Sequence, residues 1–256
     1  MSNFQSEVYS FSHLSQDEFE NTKCGSVMPD EEEKLVLPLT RNDGVEVFDD
    51  LDESAEYRRK RSTARLPPWC LNQNFPNYKN WHEEGKTSKV QDQGRCGCCY
   101  VFSSLAVLES RVAIQYNSSI LKYSAQHTIE CVKNFTMSRG RDACKGGRPE
   151  YIWIESKEKA GVVPESSYIS YNQVQDSACF QINTKDARAE VDYYYSIFSE
   201  NEDEMLCHVA LNGPIHVSID SSGSFASYSS GIWDDPKKNC TNPRFYNHAV
   251  TVVGRF

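Results

Sequence analysis

The stretch QGRCGCCYVFSS, residues 93–104, places three cysteines at the start of an apolar segment. After Cys99, apolar side chains recur at the three- and four-residue spacing of a helix with one buried face. The sequence therefore predicts a helix that begins at Cys99. The unpaired N–H groups and the positive dipole end of a helix N-terminus favour a thiolate over a thiol, which makes Cys99 a candidate nucleophile. The apolar positions of this predicted helix are Val101, Phe102, Leu105, Leu108, Val112 and Tyr116.

Three neighbours of Cys99 fit the same chemistry. The amide of Gln93 offers N–H donors for a developing oxyanion. Gly94 and Gly97 have no side chain, so we expect them to let the backbone approach a substrate closely.

The composition is that of a globular protein, with 256 residues, 39% of them hydrophobic and 12% aromatic. A net charge of -9 argues against nucleic-acid binding. Ten cysteines indicate an oxidising compartment. Residues 1–19 lack the pattern of a signal peptide, and no apolar run is long enough to predict a membrane span. Glycosylation sequons occur at Asn117, Asn134 and Asn239.

The chain divides near residue 65. Residues 1–65 are charged and lack apolar periodicity, and they include the tetrabasic run Arg58-Arg59-Lys60-Arg61. This run suits a processing site, a nuclear address or a solvated patch, and the cysteine-rich context favours processing. Residues 66–256 are predicted to form the folded domain.

Helices are predicted before strands within this domain. Residues 124–132 suggest a short helix capped by Ser124, and Glu200 to Asn212 an amphipathic helix that ends at Gly213-Pro214. Residues 215–219 alternate between apolar and polar side chains, which predicts a strand whose odd-numbered residues face a core. Residues 248–253 are rich in β-branched side chains, which predicts a second strand. Such an order predicts an α+β fold of two unlike halves.

A nucleophilic cysteine needs a base, and His248 fits best. It opens the last apolar strand, 149 residues after Cys99, within the roughly 130–150 residues expected between a papain-like cysteine and histidine. We expect His127 and His208 to lie on helix surfaces and His216 to be a polar residue beside the cleft. The candidates considered were His13, His82, His127, His208, His216 and His248.

Four motifs in order resemble the papain and cathepsin family of cysteine proteases, over about residues 66–256. They are residues 93–103, Cys144-Lys145-Gly146-Gly147, Gly213-Pro214 and Asn247-His248-Ala249-Val250. Residues 10–19 resemble, more weakly, the tail of the family's inhibitory pro-segment. The resemblance implies a two-lobed papain-like fold, with a helical left lobe and an incomplete β-barrel-like right lobe.

The resemblance also implies residue roles for a cysteine-type endopeptidase. Cys99 attacks the peptide carbonyl, His248 holds the thiolate and protonates the leaving amine, and Gln93 binds the oxyanion. Peptide or protein substrates, a monomer, no cofactor, no metal, and a lysosomal or extracellular location are expected. The implied substrate-binding residues are Gly146, Gly147, Arg148 and Ser218, with Arg148 favouring acidic side chains.

Two disulfides follow from the resemblance, Cys96 to Cys144 and Cys131 to Cys179. Cys70 with Cys207 is a further candidate pair, and Cys24 and Cys240 have no assigned partner.

The sequence departs from the family pattern in several places. Cys98 stands at the usual serine and Tyr100 at the usual tryptophan. The printed chain stops before the Asn-Ser-Trp-Gly stretch whose asparagine orients the histidine. We therefore expect a product truncated at both ends, with little activity unless it is extended.

Three alternatives remain open. A truncated papain-like protein could act as a binding module without catalysis. The C-x-x-C from Cys96 to Cys99 could instead serve a thiol-disulfide oxidoreductase, although no βαβ pattern precedes it. A zinc site from Cys96, Cys99, Cys131 and Cys144 lacks a second close pair and is disfavoured.

Overall fold

The computed structural model confirms an α+β fold. It describes residues 70, 74–131, 142–149, 152–153, 156, 161–174, 179–180, 182, 189, 191, 194, 197, 202–221, 225, 227–233 and 246–255. The predicted boundary at residue 65 and the basic run lie outside these residues and stay predictions. Named in chain order, the elements are strand β1 (Lys79–Asn80), helix α1 (Cys99–Gln115), helix α2 (Ala125–Cys131), a 3-10 helix (Glu165–Ser167), helix α3 (Glu202–Leu211) and strands β2 (Ile215–Ile219), β3 (His248–Val252) and β4 (Gly254–Arg255).

Helix α1 begins at Cys99, as its apolar periodicity predicts. Val101, Leu105 and Leu108 are buried, and Phe102 and Val112 pack against the same core from partly buried positions. The prediction for Tyr116 is wrong, because the helix ends at Gln115 and Tyr116 is 70% exposed. The helix forms the centre of the main core. Within the described residues, no helix is both long and apolar enough to cross a bilayer.

The other predicted elements are also confirmed. Ser124 caps α2, since its Oγ accepts a hydrogen bond from the backbone N–H of His127 at 3.0 Å. Helix α3 ends before Gly213, whose φ of +120° requires glycine and whose N–H donates to the carbonyl of His208. Strands β2 and β3 pair antiparallel, with Ile215 opposite Val252 and Ile219 opposite His248.

The two faces of the β2–β3 pair contact different parts of the protein. Ile215 and Val217 pack with Trp81 and Val209 in a second apolar cluster, which confirms for these two residues that the odd-numbered positions of β2 face a core. The other face carries His216 and its cross-strand neighbour Thr251. This face meets helix α1 at Ser103, so both faces of the pair are covered.

A polar network joins α1 to both strands. Ser103 Oγ donates to the Val250 carbonyl at 2.8 Å and lies 3.1 Å from Thr251 Oγ1. His216 Nδ1 lies 2.9 Å from Ser103 Oγ, and it must be the donor because the hydroxyl proton already goes to Val250. The Nε2 atom of His216 is buried without a hydrogen-bond partner among the described residues. Burial lowers the pKa of His216 from 6.5 to about 4.

We predict that His216 makes folding stability sensitive to acid. As the pH falls below 6.5 the unfolded chain protonates this histidine while the folded protein does not until about pH 4. The stability is therefore fully present above pH 6.5 and is lost progressively towards pH 4, by at most about 3 kcal/mol. Urea unfolding at pH 7, 5.5 and 4 should show that His216→Gln loses less stability on acidification than the unsubstituted protein.

The exposed His82 provides the matched control. His82→Gln should keep the pH dependence of the unsubstituted protein. Other titrating groups, such as the buried Glu109, whose pKa burial raises, are common to all three proteins and cancel in the difference. Equal pH dependence for His216→Gln and the unsubstituted protein would contradict the burial argument.

Candidate active site

Cys99 is the first residue of helix α1, and its side chain is only 2% exposed. The N-cap residue is Cys98, whose side chain makes no capping hydrogen bond, and the first turn contains no acidic residue. The positive end of the helix is therefore not neutralised by a side chain of its own first turn. Both Cys98 and Cys99 carry thiols, in contrast to the disulfide-bonded Cys96 beside them.

Residues 144–147, here called the glycine loop, are fastened to the turn before α1. Cys96 is joined to Cys144, and the Gly97 N–H donates to the Cys144 carbonyl at 2.7 Å. Gly97 and Lys145 form an isolated parallel bridge. These contacts place Gly146 and Gly147 next to the turn of residues 93–97 that precedes α1.

Tyr100 packs beneath this loop. Its hydroxyl donates to the Ala143 carbonyl at 3.0 Å, and its side chain is fully buried. A Cβ atom on Gly147 would lie 2.5 Å from Tyr100 Cζ, so only glycine fits at that position. Gly146 has a φ of +98°, which also favours glycine. Arg148 follows, half-buried.

Gln93 lies at the turn that precedes α1 and is buried. Its Nε2 donates to the Cys96 carbonyl at 2.9 Å, so the amide is oriented by the turn. The expectation for Gly94 and Gly97 needs correction. A Cβ on Gly94 would meet the Gln173 side chain, and Gly97 pairs with Lys145, so both glycines accommodate the protein's own groups.

His248 is the first residue of β3 and is half-buried. Its strand touches α1 through the hydrogen bond from Ser103 to the Val250 carbonyl. Ala249, the next residue, packs in the same hydrophobic cluster as Cys99. Ser218 pairs with Ala249 across the strands, which places it on the sheet face that contacts α1.

The predictions for two other histidines are wrong. His127 and His208 are 9% and 3% exposed rather than on helix surfaces. Burial and then the charge of Arg111 lower the pKa of His208 to about 4. His216 Nδ1 lies 2.9 Å from Ser103 Oγ in the polar network, and its position beside the cleft stays a prediction. His13 lies outside the described residues.

The disulfides weaken two of the alternatives. The structure joins Cys96 to Cys144, Cys131 to Cys179 and Cys70 to Cys207. The C-x-x-C motif therefore has its first cysteine bonded elsewhere. Three of the four candidate zinc ligands, Cys96, Cys131 and Cys144, are likewise bonded in disulfides.

Other predicted residues lie outside the described part of the chain. They are Cys24 and Cys240 and the glycosylation sites Asn134 and Asn239, whereas Asn117 is described and exposed.

Sequence reasoning missed two residues that organise the site. Ser103 carries the contact between α1 and β3, but one serine in an apolar helix gives no signal of that role. Tyr171 donates to the backbone of Gln93 from 78 residues away, and no local pattern points to it.

The comparisons with known proteins agree with this geometry. The family model described as papain family cysteine protease matches residues 75–255. This chain belongs to the papain family of cysteine proteases. Among its relatives is cysteine proteinase 2 of Entamoeba histolytica, 36% identical over 188 residues that make up 72% of this chain and 56% of that protein.

Two further similarities come from animal members of the papain family. Cathepsin S of Mus musculus is 32% identical over 184 residues, 72% of this chain and 51% of that protein. The solved structure of digestive procathepsin L 3 from the Tenebrio molitor larval midgut has a TM-score of 0.63 and 27% identity, covering 74% of this chain and 58% of that one. The chain thus spans a little over half the length of these relatives.

Proposed function

We propose that the protein is a cysteine-type endopeptidase in which Cys99 is the nucleophile and His248 its acid-base partner. The observation that carries this proposal is the contact between the elements that begin with these two residues. Helix α1 and strand β3 are joined by the hydrogen bond from Ser103 to Val250. Ala249, the neighbour of His248, belongs to the same hydrophobic cluster as Cys99, so the start of β3 reaches the core that contains the start of α1.

The proposed reaction uses groups of the chain alone. The Cys99 thiolate adds to the scissile carbonyl carbon, and the oxygen becomes an oxyanion that the Gln93 amide and the Cys99 backbone N–H bind. The His248 imidazolium gives its proton to the leaving amine as the C–N bond breaks. Water, deprotonated by His248, then hydrolyses the thioester and releases the second product.

The glycine loop and strand β2 would hold the substrate. Gly146 and Gly147 suit an extended peptide that adds to the loop by backbone hydrogen bonds. Their position beside the turn of residues 93–97, fixed by the Cys96–Cys144 bridge, supports this role. Ser218, on the sheet face towards α1, would contribute to the pocket for the second residue before the cut.

A lysosomal or extracellular location belongs to the same proposal. The three disulfides among the described residues are stable in oxidising compartments and rare in the cytosol.

Labelling with an epoxide-type peptide probe tests the nucleophile. We expect one adduct, which fragmentation in a mass spectrometer assigns to Cys99 rather than Cys98, because Cys99 is the first residue of helix α1 whereas the Cys98 thiol lies 3.1 Å from the Tyr171 hydroxyl. Cys99→Ser should remove both the adduct and peptide hydrolysis. His248→Gln should remove hydrolysis, and His82→Gln, at an exposed histidine, should not. Absence of an adduct on Cys99 would favour the non-catalytic binding module instead.

We also predict that Arg148 favours acidic substrates. Arg148 follows the glycine loop, where a half-buried guanidinium could pair with a carboxylate on the second residue before the cut. Arg148→Gln should lower the ratio of kcat/KM for glutamate over glutamine at that position by about two- to five-fold, the worth of a partly exposed ion pair. Fluorogenic peptides that differ only at this residue measure the ratio.

Lys145→Gln is the matched control, since it removes the same charge from an exposed position of the same loop. The two variants separate a local ion pair from the general charge of the surface. An equal fall of the ratio in both would contradict a specific role for Arg148.

A further inference from the structure

The turn that presents Gln93 is closed at both ends by its own hydrogen bonds. The Cys96 N–H donates to the Gln93 carbonyl at 3.4 Å, and Gln93 Nε2 donates to the Cys96 carbonyl at 2.9 Å. Gly94, with a φ of +61°, allows the reversal between them. The direction of the Gln93 side-chain amide therefore depends on where the backbone carbonyl of Gln93 is held.

Tyr171 holds that carbonyl. Its hydroxyl donates to the Gln93 carbonyl at 2.6 Å and lies 3.1 Å from Cys98 Sγ. A phenol has one proton, so with that proton on Gln93 the second contact must be a bond from the Cys98 S–H to the Tyr171 oxygen. Burial and the neighbouring Cys98 raise the pKa of Tyr171 far above its usual value, so the phenol keeps its proton.

The rest of the segment fixes Tyr171 in place. Its ring meets Phe102 edge to face, with centroids 5.1 Å apart. Asn172 N–H donates to Gln126 Oε1 at 3.0 Å, and Gln126 Nε2 donates to the Val174 carbonyl at 2.8 Å. Gln173 Oε1 accepts the Arg95 N–H at 3.0 Å. The segment of residues 171–174 is thus attached to both helices α1 and α2 and to the turn itself.

We propose that Tyr171 and Cys98 are positioning residues for the oxyanion site, forming a relay from the Cys98 S–H through the Tyr171 hydroxyl to the Gln93 carbonyl. The proposal rests on the proposed function. An oxyanion site works through donors that are held in place before charge develops, and small displacements of such groups cost large factors in rate. The relay also gives Cys98 a role distinct from that of Cys99, because its thiol is committed as a donor.

Tyr171→Phe removes only the hydroxyl and keeps the ring against Phe102. Because the oxyanion forms only in the transition state, kcat should fall about 10- to 100-fold while KM changes less than twofold. The affinity for a peptide aldehyde, whose adduct with Cys99 carries the same oxygen, should fall by a similar factor. Alkylation of Cys99 by iodoacetamide, which forms no oxyanion, should keep its rate.

Two companion variants sharpen the test. Tyr168→Phe makes the same chemical change in the same segment, where the Tyr168 hydroxyl donates to Glu130 Oε2 at 2.6 Å, and should keep kcat and aldehyde affinity. Cys98→Ala should lower kcat in the same direction as Tyr171→Phe, whereas Cys98→Ser, which retains a donor, should restore it.

Several outcomes would overturn the relay. One is unchanged kcat and aldehyde affinity in Tyr171→Phe. Another is an equal loss of hydrolysis and of iodoacetamide reactivity, which would mean that the hydroxyl only supports the fold. If the unsubstituted protein neither hydrolyses peptides nor binds the aldehyde, the proposed function fails first and the relay fails with it.

Discussion

The hydrogen bond from Ser103 to the Val250 carbonyl is the contact on which the rest of the site depends. It joins the helix that begins with Cys99 to the strand that begins with His248. His216 adds a donor from the neighbouring strand, so one hydroxyl connects three elements. The network is partly buried, and away from solvent hydrogen bonds are stronger and an unpaired polar group is more costly. The same burial makes His216 a group that resists protonation in the folded protein, so the contact is expected to weaken in acid.

The opposite side of the helix N-terminus is held by covalent and polar contacts together. The Cys96–Cys144 bridge fixes the glycine loop, and the Tyr171 hydroxyl fixes the carbonyl of Gln93. Tyr100 belongs to this side as well, because its hydroxyl donates to the Ala143 carbonyl where the family resemblance leads one to expect tryptophan. Tyrosine at position 100 therefore serves as a hydrogen-bond donor, and in the proposed relay cysteine at position 98 does so as well.

The sequence predicted the parts of the structure that have a local signature. Apolar periodicity placed the start of α1 at Cys99, and alternation placed β2 and β3, because both patterns reflect which face is buried. The roles of Ser103, His216 and Tyr171 could not be predicted in this way. Each depends on a partner between 78 and 147 residues away, and a single polar residue in an apolar run looks like a tolerated exception. The burial of His127 and His208 was missed for the same reason, since a residue's position in a helix does not identify the other elements that cover its side chain.

The pH dependence of Cys99 alkylation tests the central claim most directly, namely that the contact between α1 and β3 lets His248 hold Cys99 as a thiolate. An unassisted thiol with an ordinary pKa near 8.5 loses about 10³-fold in reactivity from pH 8 to pH 5. We predict that iodoacetamide modifies Cys99 at pH 5 within about tenfold of its rate at pH 8, and that His248→Gln restores the steep fall. A steep fall in the unsubstituted protein, or equal profiles for the two proteins, would contradict the account.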